Sequence, residues 1–337
     1  MMMQTKCWIF GTVVALLVGA PCSSQAQTTQ MPKAAPMSPY KFKAAAEGSF
    51  EWFFLLVDAG KEKGIWARNG LDPEFVPTAG SSVQLKTLID SGVKIGLVNA
   101  AEVTLARSNG VPVKTVAAYF GETTARIFVA ANGPIKAAKD LNGKKIGIIS
   151  ATHTSYRTVL YINQKLGINA EPVSLGSLSN NVAALKAGQI DALYSAEGAA
   201  LTLIDSGDLR LLLPLADIYP KPYTAVVIWA ADDLIAKNPD LVGRFVKATL
   251  EIVGYLKANP SYASELYIKR TKTPQNVADK AVASLNHILT AGGRGSGQDL
   301  AAAVSGNWQF IVESGAVPAN TVVKIEEIVD ARFLPRQ

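Results

Sequence analysis

Residues 147–162 read GIISATHTSYRTVLYI. An apolar run, Gly147 to Ile149, stops at Ser150. Thr152, His153, Thr154 and Ser155 follow, and then an amphipathic stretch, Tyr156–Leu166. Strand, turn and helix in that order form the repeating unit of a parallel-sheet α/β domain, because parallel strands need a crossover between them. One Ser or Thr is enough to cap a helix. Several hydroxyls and a histidine in one turn suggest that something is also held there.

The same unit recurs on both sides. Upstream, strands are expected at Phe42–Ala46, Pro73–Val76, Val93–Val98 and Val113–Tyr119, with helices at Phe50–Asn69, Ser82–Asp90 and Ala101–Ser108. The opening FEWFFLLV of the first helix is apolar on nearly every side, which marks it as buried. Around the quoted stretch a second cycle is expected. Its strands are Arg126–Ala131, Lys145–Ile149, Pro172–Leu175, Asp191–Tyr194 and Leu209–Leu213, and its helices beyond Tyr156–Leu166 are Val182–Lys186 and Ala199–Asp205. Three helix-to-strand junctions look alike: LIDSGVKI, LKAGQIDAL and LIDSGDLRL. After Asp232 only helical periodicity remains, at Leu241–Leu256, Val277–Leu289, Leu300–Val312 and Val322–Phe333.

Two cycles and a helical tail predict an α/β protein of two parallel-sheet lobes, with a C-terminal helical extension packed on the first lobe. Gly121–Arg126 and Ala216–Thr224 are the expected two-segment hinge. The first lobe then comprises 40–124 and 226–337, and the second 125–225. Residues 1–26 read as a signal peptide: Lys6, an apolar Cys7–Ala20, Pro21, and the small-x-small cut site Ser24-Gln25-Ala26. The apolar run of about fourteen residues is short of the ~20 needed to span a bilayer. A lipoprotein cut before Cys22 is the rival reading, but Pro21 sits where a small residue is wanted. Residues 27–39, rich in Pro, Ser, Gln and Thr, read as a flexible lead-in.

Composition excludes several chemistries. Both cysteines, Cys7 and Cys22, lie in the expected signal peptide, so the exported chain offers no disulfide, thiolate nucleophile or thiolate metal site. His153 and His287 are too far apart for a histidine metal motif, and no phosphate loop or dinucleotide fingerprint occurs at a strand-to-helix turn. The net charge of +6 is dispersed, which argues against nucleic acid. No cofactor and no direct membrane insertion are expected.

In open parallel sheets ligands gather where strands end and helices begin. Those turns are rich in small and hydroxyl residues: Ser49 and Phe50, Gly80, Ser81 and Ser82, Asn99 and Ala100, then Thr152–Ser155 and Ser195–Glu197. Each helix start offers an anion only ~0.3–1 kcal/mol. Micromolar affinity needs about 8 kcal/mol. Three or four charge-assisted hydrogen bonds of ~1.5–3 kcal/mol each, one jaw from either lobe, would supply it. Thr152, His153, Thr154 and Ser155 are assigned to one jaw. Phe50, Trp52 and Phe53 offer a stacking or apolar wall, with one of them expected to face the ligand, and Tyr223 reaches in from the hinge. Glu47, Glu51, Glu102 and Glu197 are expected to cap helix starts unless they face the cleft, in which case the solute also carries a donor. Arg126 and Arg157 are possible counter-ions, with Arg157 expected in solvent. Ser155 with His153 is the one tempting catalytic pair, and residues two apart at a turn rarely meet, so binding rather than catalysis is expected.

The chain resembles the nitrate/sulfonate/taurine-type solute-binding proteins of bacterial ABC transporters. The resemblance rests on GKEKGIWARNGLDPEFVPTAGSS, IKAAKDLNGKKIGI with SATHTSY after it, LKAGQIDALYSAEGA and VVIWAADDLIAKNPDLVGRFVKA. It implies a two-lobed periplasmic-binding fold, a periplasmic location, and a small polar or anionic solute held between the lobes. Delivery of that solute to a membrane permease is implied too; a monomer is expected. Carried over turn by turn, it places contacts at Ser49–Phe50, Gly80–Ser82, Asn99–Ala100, Thr152–Ser155 and Glu197. Some relatives bind pyrimidine vitamin precursors through aromatics and carboxylates, and Trp52 with Glu197 keeps that alternative open. A periplasmic sensor is the other.

Overall fold

The computed structural model describes residues 39–47, 51–78, 82–289 and 297–335. The expected signal peptide and nearly all of the lead-in lie outside them. The strands are β1 (Tyr40–Glu47), β2 (Leu71–Thr78), β3 (Ile95–Asn99), β4 (Val113–Ala118), β5 (Ala125–Ala130), β6 (Lys145–Ile148), β7 (Glu171–Ser174), β8 (Ala192–Ala196), β9 (Leu209–Pro214) and β10 (Val226–Ala231). They form two five-stranded sheets, ordered β2-β1-β3-β10-β4 and β7-β6-β8-β5-β9. The two orders are one pattern used twice, and LIDSGVKI and LKAGQIDAL occupy equivalent junctions in it. At the first, Gly92 takes φ +89° and its N–H closes on the Ile89 carbonyl at 3.0 Å, a left-handed turn that a Cβ would disfavour.

The sheets are mixed, not wholly parallel. β10 runs antiparallel to β3 and β4, and β5 antiparallel to β8 and β9. The crossings explain this. β4 ends at the cleft, and the chain passes to the second sheet and begins β5 there. It returns after β9 through a short 3-10 turn, Leu215–Asp217, to begin β10. A strand that enters from the cleft must run opposite to those that end at it. Every residue of β3 and β10 is buried, Trp229 completely, as befits central strands covered on both faces.

The helices are α1 (Glu51–Glu62), α2 (Ile65–Arg68), α3 (Ser82–Asp90), α4 (Ala100–Ser108), α5 (Thr154–Leu166), α6 (Leu178–Lys186), α7 (Glu197–Asp205), α8 (Asp232–Lys237), α9 (Pro239–Ala258), α10 (Pro260–Thr271), α11 (Gln275–Ile288), α12 (Gly297–Glu313) and α13 (Ile325–Ile328). The single helix expected over Phe50–Asn69 is two, broken at Gly64, which sits at φ +63°. Phe53, Leu55 and Leu56 are buried as its apolar opening requires. The helix expected over Val322–Phe333 shrinks to α13 and a 3-10 turn, and Val329 instead bridges to Thr115 beside β4.

The tail covers more than the first lobe. α9 packs there, with Phe245 stacked on Trp66 at 5.4 Å and edge-on to Phe42 at 5.9 Å. α11, however, lies along α7 of the second lobe, where Lys280 pairs with Asp205 at 2.7 Å and Ser284 Oγ donates to Glu197 Oε2 at 2.7 Å. α12 spans lobes and hinge together. Lys165 on α5 pairs with Glu313 at 2.7 Å. Asn307 Nδ2 donates to the Thr224 carbonyl at 3.1 Å, and Thr224 Oγ1 donates to the Phe120 carbonyl at 2.6 Å, tying one crossing to the other. A purely first-lobe cover would leave the apolar outer faces of α5 and α7 in water, which is why the tail straddles.

Candidate functional site

Residues 149–153 join β6 to α5, and with the first turn of that helix they satisfy much of their own polarity. His153 is the N-cap of α5, and its Nδ1 accepts the Ser155 N–H at 3.0 Å. The Ser155 hydroxyl lies 2.9 Å from the same nitrogen and accepts the Ile149 N–H at 3.2 Å. His153 and Ser155 therefore do meet, against the expectation for residues two apart. Both are fully buried, and their contacts are those of a helix cap. His153→Ala is expected to cost about 2–3 kcal/mol, because it removes the cap and also empties the space of a fully buried ring, read as a lowered urea midpoint at unchanged slope. Thr152 is exposed, its hydroxyl 3.3 Å from that of Ser150.

Thr154 points elsewhere. Its hydroxyl donates at 2.7 Å to Glu102 Oε1, on α4 of the opposite lobe. The same oxygen takes the Arg157 guanidinium, and Glu102 Oε2 accepts the Ser82 N–H at 2.9 Å, at the first residue of α3. The expectation that Arg157 is solvent-exposed fails: it is 5% exposed and Glu102 0%. Two first-lobe helix starts and one second-lobe helix start thus converge, and a carboxylate of the chain itself stands at their meeting point.

Beside this knot, at the cleft ends of β3 and β4, lies a cavity of about 10 Å³ walled by Phe53, Tyr119, Phe120, Asn99, Thr123 and Thr124. Asn99 ends β3 at 5% exposure, and the Ala100 N–H donates to the Ala225 carbonyl at 2.9 Å. Tyr223 packs behind, 4.9 Å from Tyr219, and burial first, then the neighbouring Tyr219, pushes its hydroxyl up. It stays a neutral phenol at physiological pH. Glu197 starts α7 and is held by Ser284 and by Arg126 at 3.3 Å. Ser49, Phe50, Gly80 and Ser81 lie outside the described residues, as does the side chain of Trp52. Of the residues assigned to the jaws, the structure brings Ser82 and Thr154 together, sets Asn99 and Ala100 beside them, and leaves Thr152 outside. Sequence reading passed over Tyr119, Phe120, Thr123 and Thr124. Their signal was position: Tyr119 and Phe120 lead into the first crossing and Thr123 and Thr124 lie within it, and a crossing necessarily borders a cleft.

Among the described residues no helix is long and apolar enough to cross a membrane. The model of the NMT1/THI5-like family matches residues 54–263, more than half of the chain. The riboflavin-binding protein RibY of Chloroflexus aurantiacus is 27% identical over 80% of this chain and 79% of its own. The 4-amino-5-hydroxymethyl-2-methylpyrimidine phosphate synthase THI5 of Saccharomyces cerevisiae is 27% identical over 64% of this chain and 67% of its own. Among solved structures, the alkanesulfonate-binding protein SsuA of Xanthomonas axonopodis pv. citri bound to MOPS superposes with a TM-score of 0.72 at 15% identity, covering 87% of this chain and 99% of that one. The shared architecture is the two-lobed periplasmic binding protein fold.

Proposed function

The chain belongs to the NMT1/THI5-like family, and from that premise we propose that it is the periplasmic solute-binding component of an ABC importer, without catalysis of its own. It captures a small solute between its lobes and presents it to a membrane permease. The solute we assign is a planar nitrogen heterocycle of the pyrimidine or flavin kind. The observation that carries the choice is the wall of the cavity. Three aromatic rings, Phe53, Tyr119 and Phe120, surround one carboxamide, Asn99, and the Thr123 and Thr124 hydroxyls. Rings stack on a flat heterocycle, and an amide donates and accepts at once, as ring nitrogens and carbonyls require. RibY, by its name, binds riboflavin, and THI5 makes a pyrimidine phosphate, which agrees with that wall.

Ligand pockets span about 300–1,000 Å³, so entry requires the lobes to part about the two crossings. The test is titration of the purified protein with riboflavin, followed by flavin fluorescence, and with 4-amino-5-hydroxymethyl-2-methylpyrimidine by calorimetry. Methanesulfonate and taurine serve as competitors. One heterocycle is expected to bind with micromolar affinity or better, about 8 kcal/mol, and the sulfonates not at all. Asn99→Ala should weaken it by about 5- to 150-fold, the loss of one buried hydrogen-bonding partner. Preference for the sulfonates would overturn the assignment, and silence toward every probe would overturn the binding role.

A further inference from the structure

The buried side-chain knot between the lobes has the composition of an anion site whose anion is part of the chain. A helix-start amide (Ser82), a hydroxyl (Thr154) and a guanidinium (Arg157) close on one carboxylate, Glu102. None of the four residues is more than 8% exposed. These donors come from α3 of the first lobe and α5 of the second, and Glu102 from α4. They are the donor types that a free carboxylate or sulfonate would recruit between two lobes. Arg157 carries a further sign: among the described residues its buried Nε has no hydrogen-bond partner, so the guanidinium holds more donor capacity than Glu102 uses.

We infer that Glu102 is a built-in anion and a specificity-determining residue, occupying the interlobe donor set so that an anionic group of a solute is excluded from it. The cost of admitting such a group is twofold. It would have to displace a carboxylate that is covalently present at very high effective concentration, and it would meet the repulsion of that carboxylate in a buried place where charge interactions are strong. Solutes that are neutral or cationic at this wall face neither penalty. The inference deepens the proposed solute-binding role and rests on it only for its consequence; the anion site itself is tested without any solute.

Glu102→Ala removes a fragment with the heavy atoms of acetate and leaves Arg157, Thr154 and the Ser82 N–H around the space. The probe is sodium acetate, titrated against sodium chloride at constant ionic strength, with thermal melting as the readout. Glu102→Ala is expected to gain stability saturably with acetate, binding it at least about tenfold more tightly than the parent protein does. The double variant Glu102→Ala/Arg157→Met should lose that response. If Glu102→Ala does not fold in plain buffer, its refolding yield by near-UV circular dichroism is expected to rise with acetate and not with chloride. Acetate giving no more than chloride in both measurements, or an undiminished response in the double variant, overturns the inference. Because these titrations contain no solute, that failure leaves the heterocycle assignment standing. Conversely, a parent protein silent to every heterocycle would leave an acetate response in Glu102→Ala intact.

Discussion

Replacing Arg157 by methionine is expected to lower the unfolding free energy by about 3–5 kcal/mol, because it strands a fully buried carboxylate without its counter-charge. The apolar stem of arginine is largely kept by methionine, so the loss reports charge more than packing. Thr154 and the Ser82 N–H still reach Glu102, but two neutral donors do not replace a guanidinium. The companion variant Arg157→Met/Glu102→Leu should recover most of the loss, since a well-packed apolar pair in place of a buried ion pair is often neutral or stabilising. A double-mutant cycle in urea isolates the coupling. A cycle energy below about 1 kcal/mol, the scale of exposed pairs, would sink the reading of this pair as the charged link between lobes.

Phe310→Ala is expected to be as damaging for a different reason. Phe310 is fully buried on α12, with ring centroids 5.1 Å from Tyr161 on α5, and 4.8 Å from Tyr219 and 6.3 Å from Tyr223, both in the second crossing. Removing the ring takes away its burial and leaves a cavity that the surrounding tyrosines cannot close, at about 3–5 kcal/mol. Because the ring touches second lobe, crossing and tail together, the variant should also open more readily. Small-angle scattering is expected to show a larger radius of gyration for Phe310→Ala than for Phe310→Leu, which keeps most of the volume. Equal radii and equal melting temperatures for the two would remove α12 from the account of how the lobes are held. Gly306, one turn earlier, supports the same picture: a Cβ there would run into the Pro222 carbonyl oxygen, so α12 and the crossing are in direct backbone contact.

Much of the architecture is legible along the chain because it is written in short-range periodicities. Alternating apolar runs and amphipathic stretches announce the strands and helices of both lobes, and glycines at helix ends mark where each stops. The tail helices α9, α11 and α12 follow from their 3.6-residue stripes. What periodicity does not carry is direction and neighbourhood. The antiparallel sense of β5 and β10 depends on which lobe the chain has just left, and no local pattern distinguishes a strand that enters from the cleft from one that ends at it. The seat of α11 on α7 depends on which faces were still uncovered once both sheets had formed.

The site divides in the same way. The amino-acid sequence by itself determined that hydroxyl-rich helix starts would gather at the strand ends, since each turn's composition is a local property that any fold of this type must place at the cleft. Only the tertiary structure decided what those donors hold. Glu102 and Arg157 are 55 residues apart, each by itself an ordinary helix-surface charge, and each was expected to cap or to face water. Bringing the first turns of α4 and α5 together takes both out of solvent, and in that place the cheapest partner for either charge is the other.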